Sequence, residues 1–336
     1  MITPSITPKK LQDELGVLLD SDIPTFIHGS PGIGKSYIIN EMAKDRGWEI
    51  VDVRLSQLDS VDLRGIPSIQ GDQTKWMPPV FLPTKECDGI LFLDELNSAP
   101  PSIQAAIYQL VLDRRLGEYE LPKGWRIVSA GNRINDKGIV FRLPSPLSNR
   151  MVHLVLESSY EDFKEWAMGS SVHPYIIGFL GFRRDLLSSE VPKETETNPA
   201  FATPRSWTML SHIITKSQKE RSKLSTLVYG SVGYAAGLEF LSYIKVYKEL
   251  PDIGALLKGE DRELPQSASS LYALNSALVH KFDGTKEHLL CLLEISKKLP
   301  VEFGVMLIKD ALIKHEDIAE FPEFEEWLEK YQEYII

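Results

Sequence analysis

The sequence predicts an α/β fold: a parallel-sheet domain over residues 1–157, followed by an all-helical domain over residues 158–336. Three observations predict it. Residues 29–36 read Gly-Ser-Pro-Gly-Ile-Gly-Lys-Ser, a glycine-rich loop between strand-like Ile23–His28 and helix-like Tyr37–Lys44. Ile90-Leu91-Phe92-Leu93 is apolar without alternation, as in a strand buried on both faces of a parallel sheet, and it ends in Asp94-Glu95. Beyond Leu156 the apolar period becomes helical and stays so.

Each element follows from local chemistry. Thr7–Leu19 puts Leu11, Leu15, Leu18 and Leu19 on one helical face. Asp20–Pro24 turns into the first strand. Gly47 punctuates the chain before a second strand, Glu49–Leu55. Ser60–Pro83 has no regular period and reads as an elaborated loop or small hairpin insertion, with turn signals at Gly71-Asp72 and Pro78-Pro79. Pro100-Pro101 starts a helix over Ser102–Asp113, because proline suits a first turn. Arg114–Gly124 reads as a hairpin or turn, Trp125–Ala130 as a buried strand, Leu143–Arg150 as a short helix or turn, and Met151–Leu156 as the last strand. Helices are then predicted over Ser159–Met168, Pro174–Leu187, Pro204–Lys216, Lys223–Leu250, Ser269–Phe282, Lys286–Leu299 and Phe303–Lys314. Ser188–Pro199 is a polar linker. The tail, Pro322–Tyr334, is an acidic amphipathic helix whose Phe324, Trp327, Leu328 and Tyr331 face one side, to pack on the helical domain or, in the sharper alternative, to dock a partner.

Composition narrows the function classes. Apolar content of 43% and charged content of 25% are those of a soluble globular chain, and 336 residues suffice for two domains. A net charge of −10 gives no global attraction to nucleic acid or anionic membrane. The two cysteines, Cys87 and Cys291, have neither pairing nor metal spacing; they fit a reducing cytosol and are expected as buried, small apolar residues. The start of the chain lacks the apolar core of a signal peptide, and no stretch is long enough to span a bilayer, so a cytoplasmic location is expected. His28, His153, His173, His212, His280, His288 and His315 show no ligand spacing and read as structural or surface residues. Trp76, Trp125 and Trp207 read as core or interface packing.

The loop at 29–36 carries the chemistry. Gly29, Gly32 and Gly34 let the backbone curl so that the amides of Ser30, Pro31-flanked Gly32, Ile33 and Gly34 can face phosphate oxygens. The following helix adds the positive end of its dipole. Lys35 reaches the β- and γ-phosphates, and the Ser36 hydroxyl is a ligand for Mg²⁺. Asp94 and Glu95 stand at the carboxyl end of a core strand, where ligands bind in open α/β sheets. Asp94 is placed to hold Mg²⁺ through water and Glu95 to polarise an attacking water. Asn132, ending the strand at 125–130, can orient that water, though Asn suits a plain turn equally well.

With these motifs in this order, followed by Arg150 and Thr203-Pro204-Arg205, the chain resembles the AAA+ ATPases. Within them it resembles the MoxR branch, through Leu93-Asp94-Glu95-Leu96-Asn97-Ser98-Ala99-Pro100-Pro101-Ser102-Ile103-Gln104-Ala105-Ala106. The resemblance covers roughly residues 5–215 and implies a P-loop ATPase domain with an all-helical lid. It implies ATP and Mg²⁺ as cofactors, Gly29–Ser36 as Walker A, Asp94 and Glu95 as Walker B, and Asn132 as sensor 1. Arg150 would be the arginine finger given to a neighbouring subunit, and Arg205 sensor 2. Arg114, Arg115, Arg133 and Arg142 are rivals for the interface role. The family implies a ring, a hexamer, acting on a protein client such as a von Willebrand factor A domain protein. A nucleic-acid motor or loader, or a nucleotide-regulated scaffold, are the alternatives. The segment 60–83 departs from the branch in detail, which leaves its pore-loop role and that of the C-terminal helices unassigned.

Overall fold

Strands too apolar to face water need a layer of helices on each side. The computed structural model describes residues 4–133, 136, 140–190, 199–217, 224–260 and 262–334. The chain divides into two compact units, Met1–Ser159 and Tyr160–Ile336.

The first unit runs β1 (Ser5–Ile6), α1 (Pro8–Asp20), β2 (Thr25–His28), α2 (Lys35–Asp45), β3 (Glu49–Arg54), α3 (Ser60–Arg64), β4 (Ile66–Gln70) and β5 (Gln73–Met77). It continues with β6 (Gly89–Asp94), α4 (Pro101–Asp113), β7 (Arg115–Leu116), β8 (Tyr119–Glu120), β9 (Trp125–Gly131), α5 (Ser145–Ser148) and β10 (Val152–Leu156). Six strands form one sheet in the order β1-β10-β2-β9-β6-β3. Every neighbouring pair in it is parallel.

The strand period explains the unbroken apolar run of β6. Ile90 and Phe92 face one layer, with Leu11, Leu15 and Leu19 of α1 and Ile38, Ile39 and Met42 of α2. Leu91 and Leu93 face the other, with Ile103, Ile107 and Leu110 of α4. All four strand residues are buried. Leucine faces and proline starts shape the covering helices: α1 begins at Pro8 after a Thr7 cap, and α4 at Pro101.

The structure refines the reading in places. β1 was too short to leave a periodic signal, yet Ser5 and Ile6 pair with Val155 and Leu156. In the insertion, the hairpin alternative holds: Ile66 pairs with Met77 and Gln70 with Gln73 across β4 and β5. The five-residue α3 precedes it, started by a capping box between Asp59 and Asp62. The hairpin leaves Trp76 40% exposed, so this tryptophan is not core, whereas Trp125 and Trp207 are. Cys87 and Cys291 are half-buried, not buried.

The second unit consists of helices α6 (Tyr160–Gly169), α7 (Pro174–Phe182), α8 (Pro204–Lys216), α9 (Ser225–Val232), α10 (Tyr234–Lys248), α11 (Ile253–Leu256), α12 (Ala268–Lys281), α13 (Lys286–Lys298), α14 (Val301–Lys314) and α15 (Pro322–Tyr331). One core joins Phe179 of α7, Trp207 of α8 and Phe240 of α10, whose rings meet 5.3–5.5 Å apart. A second joins Leu278, Leu289, Leu292 and Leu307 of α12–α14 to Phe324 and Trp327 of α15. The single helix expected over 223–250 is two, broken at Gly233, which has φ 85°. A Cβ there would meet the Ala200 carbonyl oxygen at 2.7 Å, so glycine is required on both counts. In the tail helix, Leu328 is exposed, outside the buried face that Phe324 and Trp327 occupy. Most of the expected linker, residues 191–198, lies outside the described residues, as does Lys223.

Candidate functional site

The site begins where β2 runs out. Gly29 follows its last residue, and its N–H donates to the Gly131 carbonyl at the end of β9, 3.2 Å away. The loop then turns through Gly32 (φ 76°) and Gly34 (φ 107°), both left-handed. Gly34 is the N-cap of α2 and supplies no side-chain cap. The first amides of α2 therefore lack the usual hydroxyl or carboxylate partner, which suits an anion.

Lys35 is buried, and its ammonium is folded back on the loop. It donates to the Gly29 and Ser30 carbonyls, and lies 3.4 Å from Asn132 Oδ1. Ser36 Oγ donates to Asp94 Oδ2 at 3.2 Å. Asp94 Oδ1 accepts from the Glu95 amide at 2.9 Å. The structure thus brings Lys35, Ser36, Asp94, Glu95 and Asn132 together at the carboxyl ends of β2, β6 and β9. Ile33 is buried in the layer beneath, while Ser30, Pro31, Gly32 and Gly34 form the half-buried rim.

The fit to Mg²⁺ and a nucleotide rests on this donor set. Among the described residues no cluster of three or more His, Cys, Asp or Glu side chains could enclose a metal alone. One hydroxyl beside one carboxylate is the sparse set Mg²⁺ takes when phosphates and waters complete its octahedron.

Four residues that the sequence reading gave no role hold the site. Ser56, just after β3, donates its hydroxyl to Glu95 Oε2. Asn97, 4% exposed, donates Nδ2 to the Asn132 carbonyl at 2.7 Å, and its own carbonyl accepts from Phe141 N at 2.6 Å. A Cβ on Gly131 would fall 2.0 Å from Asn97 Oδ1, so the close approach of the two strand ends needs glycine. Asp136 ties the loops together, accepting from Ser30 Oγ at 3.0 Å and from Arg133 N at 2.8 Å. Their signal was weak: Asn97 stands inside the run 93–106 that carries the family resemblance, but the contacts of all four residues are long-range. Two of the histidines take the structural role that the sequence gives them. His28 and His153 meet at 3.0 Å, because parallel pairing of β2 with β10 brings together residues 125 apart in the chain.

Arg150 lies elsewhere. Val152 of β10 pairs with Thr25, the first residue of β2. Arg150 therefore stands at the amino edge of the sheet, and the phosphate loop at the carboxyl edge, starting roughly 13 Å beyond Thr25 at about 3.3 Å per residue. Its guanidinium is exposed, donates to the Pro146 carbonyl at 2.8 Å and stacks 5.1 Å from the Tyr108 ring. Its rivals differ. Arg133 pairs with Glu157, Arg114 with Asp22, and Arg115 with Glu120, all within the unit, while Arg142 is exposed. Arg205 belongs to the second unit, exposed in the first turn of α8 behind the reciprocal Thr203–Ser206 cap.

A parallel sheet with helices on both faces, a glycine loop opening α2 and paired carboxylates ending β6 define a P-loop AAA+ fold, here followed by an all-helical unit. Residues 24–151 match the family model of the AAA domain, dynein-related subfamily. Among curated relatives, the midasin of Dictyostelium discoideum is 31% identical over 144 residues, covering 39% of this chain and 2% of that protein. The midasin of Giardia intestinalis is 23% identical over 168 residues, covering 47% and 4%. The chain thus spans only a small fraction of the length of these relatives. Among solved structures, the RuvB Holliday junction branch migration motor of Thermotoga maritima aligns with a TM-score of 0.40 at 17% identity, covering 86% of this chain and 87% of that one. NtrX of Brucella abortus aligns with a TM-score of 0.39 at 14% identity, covering 66% and 54%.

Proposed function

We propose that this chain is a Mg²⁺-dependent ATPase of the MoxR-like branch, working as a ring, a hexamer, that remodels, assembles or activates a protein client. A von Willebrand factor A domain protein is the client class proposed, and the cytoplasm the location. Residues 1–157 form the nucleotide-binding domain in this reading and 158–336 the helical lid with its extension.

The observation that carries the proposal is the contact of Ser36 with Asp94, with Lys35, Glu95 and Asn132 around it. Mg²⁺ and ATP supply charge neutralisation and the transferable phosphoryl group; the protein supplies position and electrostatics. The loop amides and Lys35 bind phosphate oxygens. Ser36 and Asp94 hold the metal. Glu95 leaves Ser56 to take the proton of an attacking water, and Asn132 orients that water. Arg150 serves the neighbour's site, and Arg205 is the sensor 2 residue.

Two variants test it together. Lys35→Ala should abolish ATP binding by calorimetry. Glu95→Gln should bind ATP normally and turn it over on the order of a hundredfold more slowly, since general-base help acts in the transition state. Unchanged ATP affinity in Lys35→Ala, or near-normal turnover in Glu95→Gln, would overturn the reading.

A further inference from the structure

We propose that His28, His153 and Ser148 form a hydrogen-bonded strut that holds the Arg150-bearing turn in register with the phosphate loop. The inference rests on the reading above for the roles of the two ends. The strut itself stands on geometry.

The protons can be placed by elimination. The Ser148 carbonyl oxygen can only accept, and it lies 2.8 Å from His153 Nε2. That nitrogen therefore carries the proton. Ser148 Oγ lies 3.0 Å from the same nitrogen and shares it. A neutral His153 then has a bare Nδ1, which sits 3.0 Å from His28 Nε2. His28 must donate through Nε2. One chain of bonds thus runs from the residue before Gly29 to the residue two before Arg150.

The strut crosses the sheet direction that separates the two ends. Phe26 packs on both imidazoles, with ring centroids 4.4 Å from His28 and 5.8 Å from His153. Leu147 of α5 is buried in the same cluster as Phe26, so the turn is seated on that face. Packing sets its height, and directional bonds set its register.

His28 is built to be neutral. The His28 pKa is lowered to about 4, first by burial, then by His153 and Lys35. Among the described residues, His153 from β10 and Lys35 from α2 are the titratable groups that face it; the β9 residues Ser129, Ala130 and Gly131 beside β2 carry no charge. A proton added to His153 Nδ1 would set N–H against N–H and break the bond to His28.

His153→Phe is the test variant, keeping a ring on Phe26 and removing both nitrogens. ATP affinity should be unchanged and kcat should fall by about ten- to a hundredfold at constant KM, up to the cost of a 1 Å misplacement of a catalytic group. Mixed with Lys35→Ala subunits, it should regain turnover, because its own nucleotide site is intact and faces an intact Arg150. His153→Gln, which has a donor and an acceptor, should keep most of the activity. Weakened ATP binding, or no regain where Arg150→Ala subunits do regain, would overturn the strut as a positioning device. Nitrogen-15 NMR of the wild-type chain at neutral pH decides the bonding itself, independently of any ring. Both imidazoles should be Nε2–H tautomers; an Nδ1–H tautomer at His153 would overturn it even if the ATPase reading stands. If Arg150→Ala subunits fail to regain turnover, the ring reading fails while the tautomers still decide the strut. If His153→Phe does not fold, the tautomers and the His153→Gln kinetics carry the test.

Discussion

Glu95 has a left-handed backbone, φ 59°, a conformation that costs an L-residue about 1–2 kcal/mol. Its carbonyl repays part of this by accepting from Ser98 N at 2.9 Å and Ala99 N at 3.1 Å, which starts the turn that buries Asn97. Asn97 then fixes Asn132 from behind. Asn97→Ala should lower stability by about 1–3 kcal/mol, the cost of stranding the Asn132 carbonyl and its neighbours. It should also slow hydrolysis without loosening ATP, because Lys35 and Ser36 are untouched. Urea unfolding and calorimetry on one preparation check both halves. His28 makes a second residue-scale prediction. Its unfolded pKa is near the ordinary 6.5 and its folded pKa about 4. Between these values the unfolded chain binds the extra proton, so stability falls as pH drops from about 6.5 to about 4 and is flat below. Above 6.5 this contribution is fully present. His28→Gln should flatten that limb of the urea midpoint plotted against pH, and an unchanged acid limb would show that His28 does not titrate so.

Elements were legible in the sequence where their period was long or their chemistry local. The β6 strand and its two carboxylates, α4 behind its prolines and the loop at 29–36 all lie within short windows. What escaped was set by contacts far apart in sequence: β1, which exists only because β10 offers it an edge; the break at Gly233, forced by the Ala200 carbonyl; and the Ser56–Glu95, Asn97–Asn132 and His28–His153 contacts. The helical unit holds another such contact. Lys164 of α6 and Asp310 of α14 pair at 2.6 Å with side chains 13% and 7% exposed. Burial raises the Asp310 pKa, and Lys164 pulls it back. Removing one partner leaves a buried charge, so Lys164→Met should cost about 3–5 kcal/mol, whereas Lys164→Met with Asp310→Leu should recover most of it. A double variant no more stable than Lys164→Met, measured by denaturant unfolding, would mean that the pair does not act as a unit.

At the scale of the whole molecule, the parallel sheet puts the phosphate loop and Arg150 at opposite edges of the same strands. If Arg150 completes an ATP site, geometry gives it the site of another copy. That contact joins different patches on the two copies, so it repeats, and repetition by rotation closes a ring or yields a helical filament. Nucleotide then belongs to the junction and not to one subunit. A ligand that binds the assembled state preferentially stabilises it by mass action, by about 2.7 kcal/mol per site at a hundredfold excess over Kd. The Glu95→Gln variant, which should hold ATP without consuming it, is the form in which this linkage is measurable. Its mass distribution, followed by sedimentation at micromolar protein, should move from small species towards one closed species as ATP is added with Mg²⁺. Adding Arg150→Ala to the same variant should leave ATP bound and weaken the shift, because the cation that reads the neighbour's phosphates is gone. A distribution indifferent to ATP, in protein shown by calorimetry to be saturated, would remove the junction from the site and with it the role of Arg150 in trans.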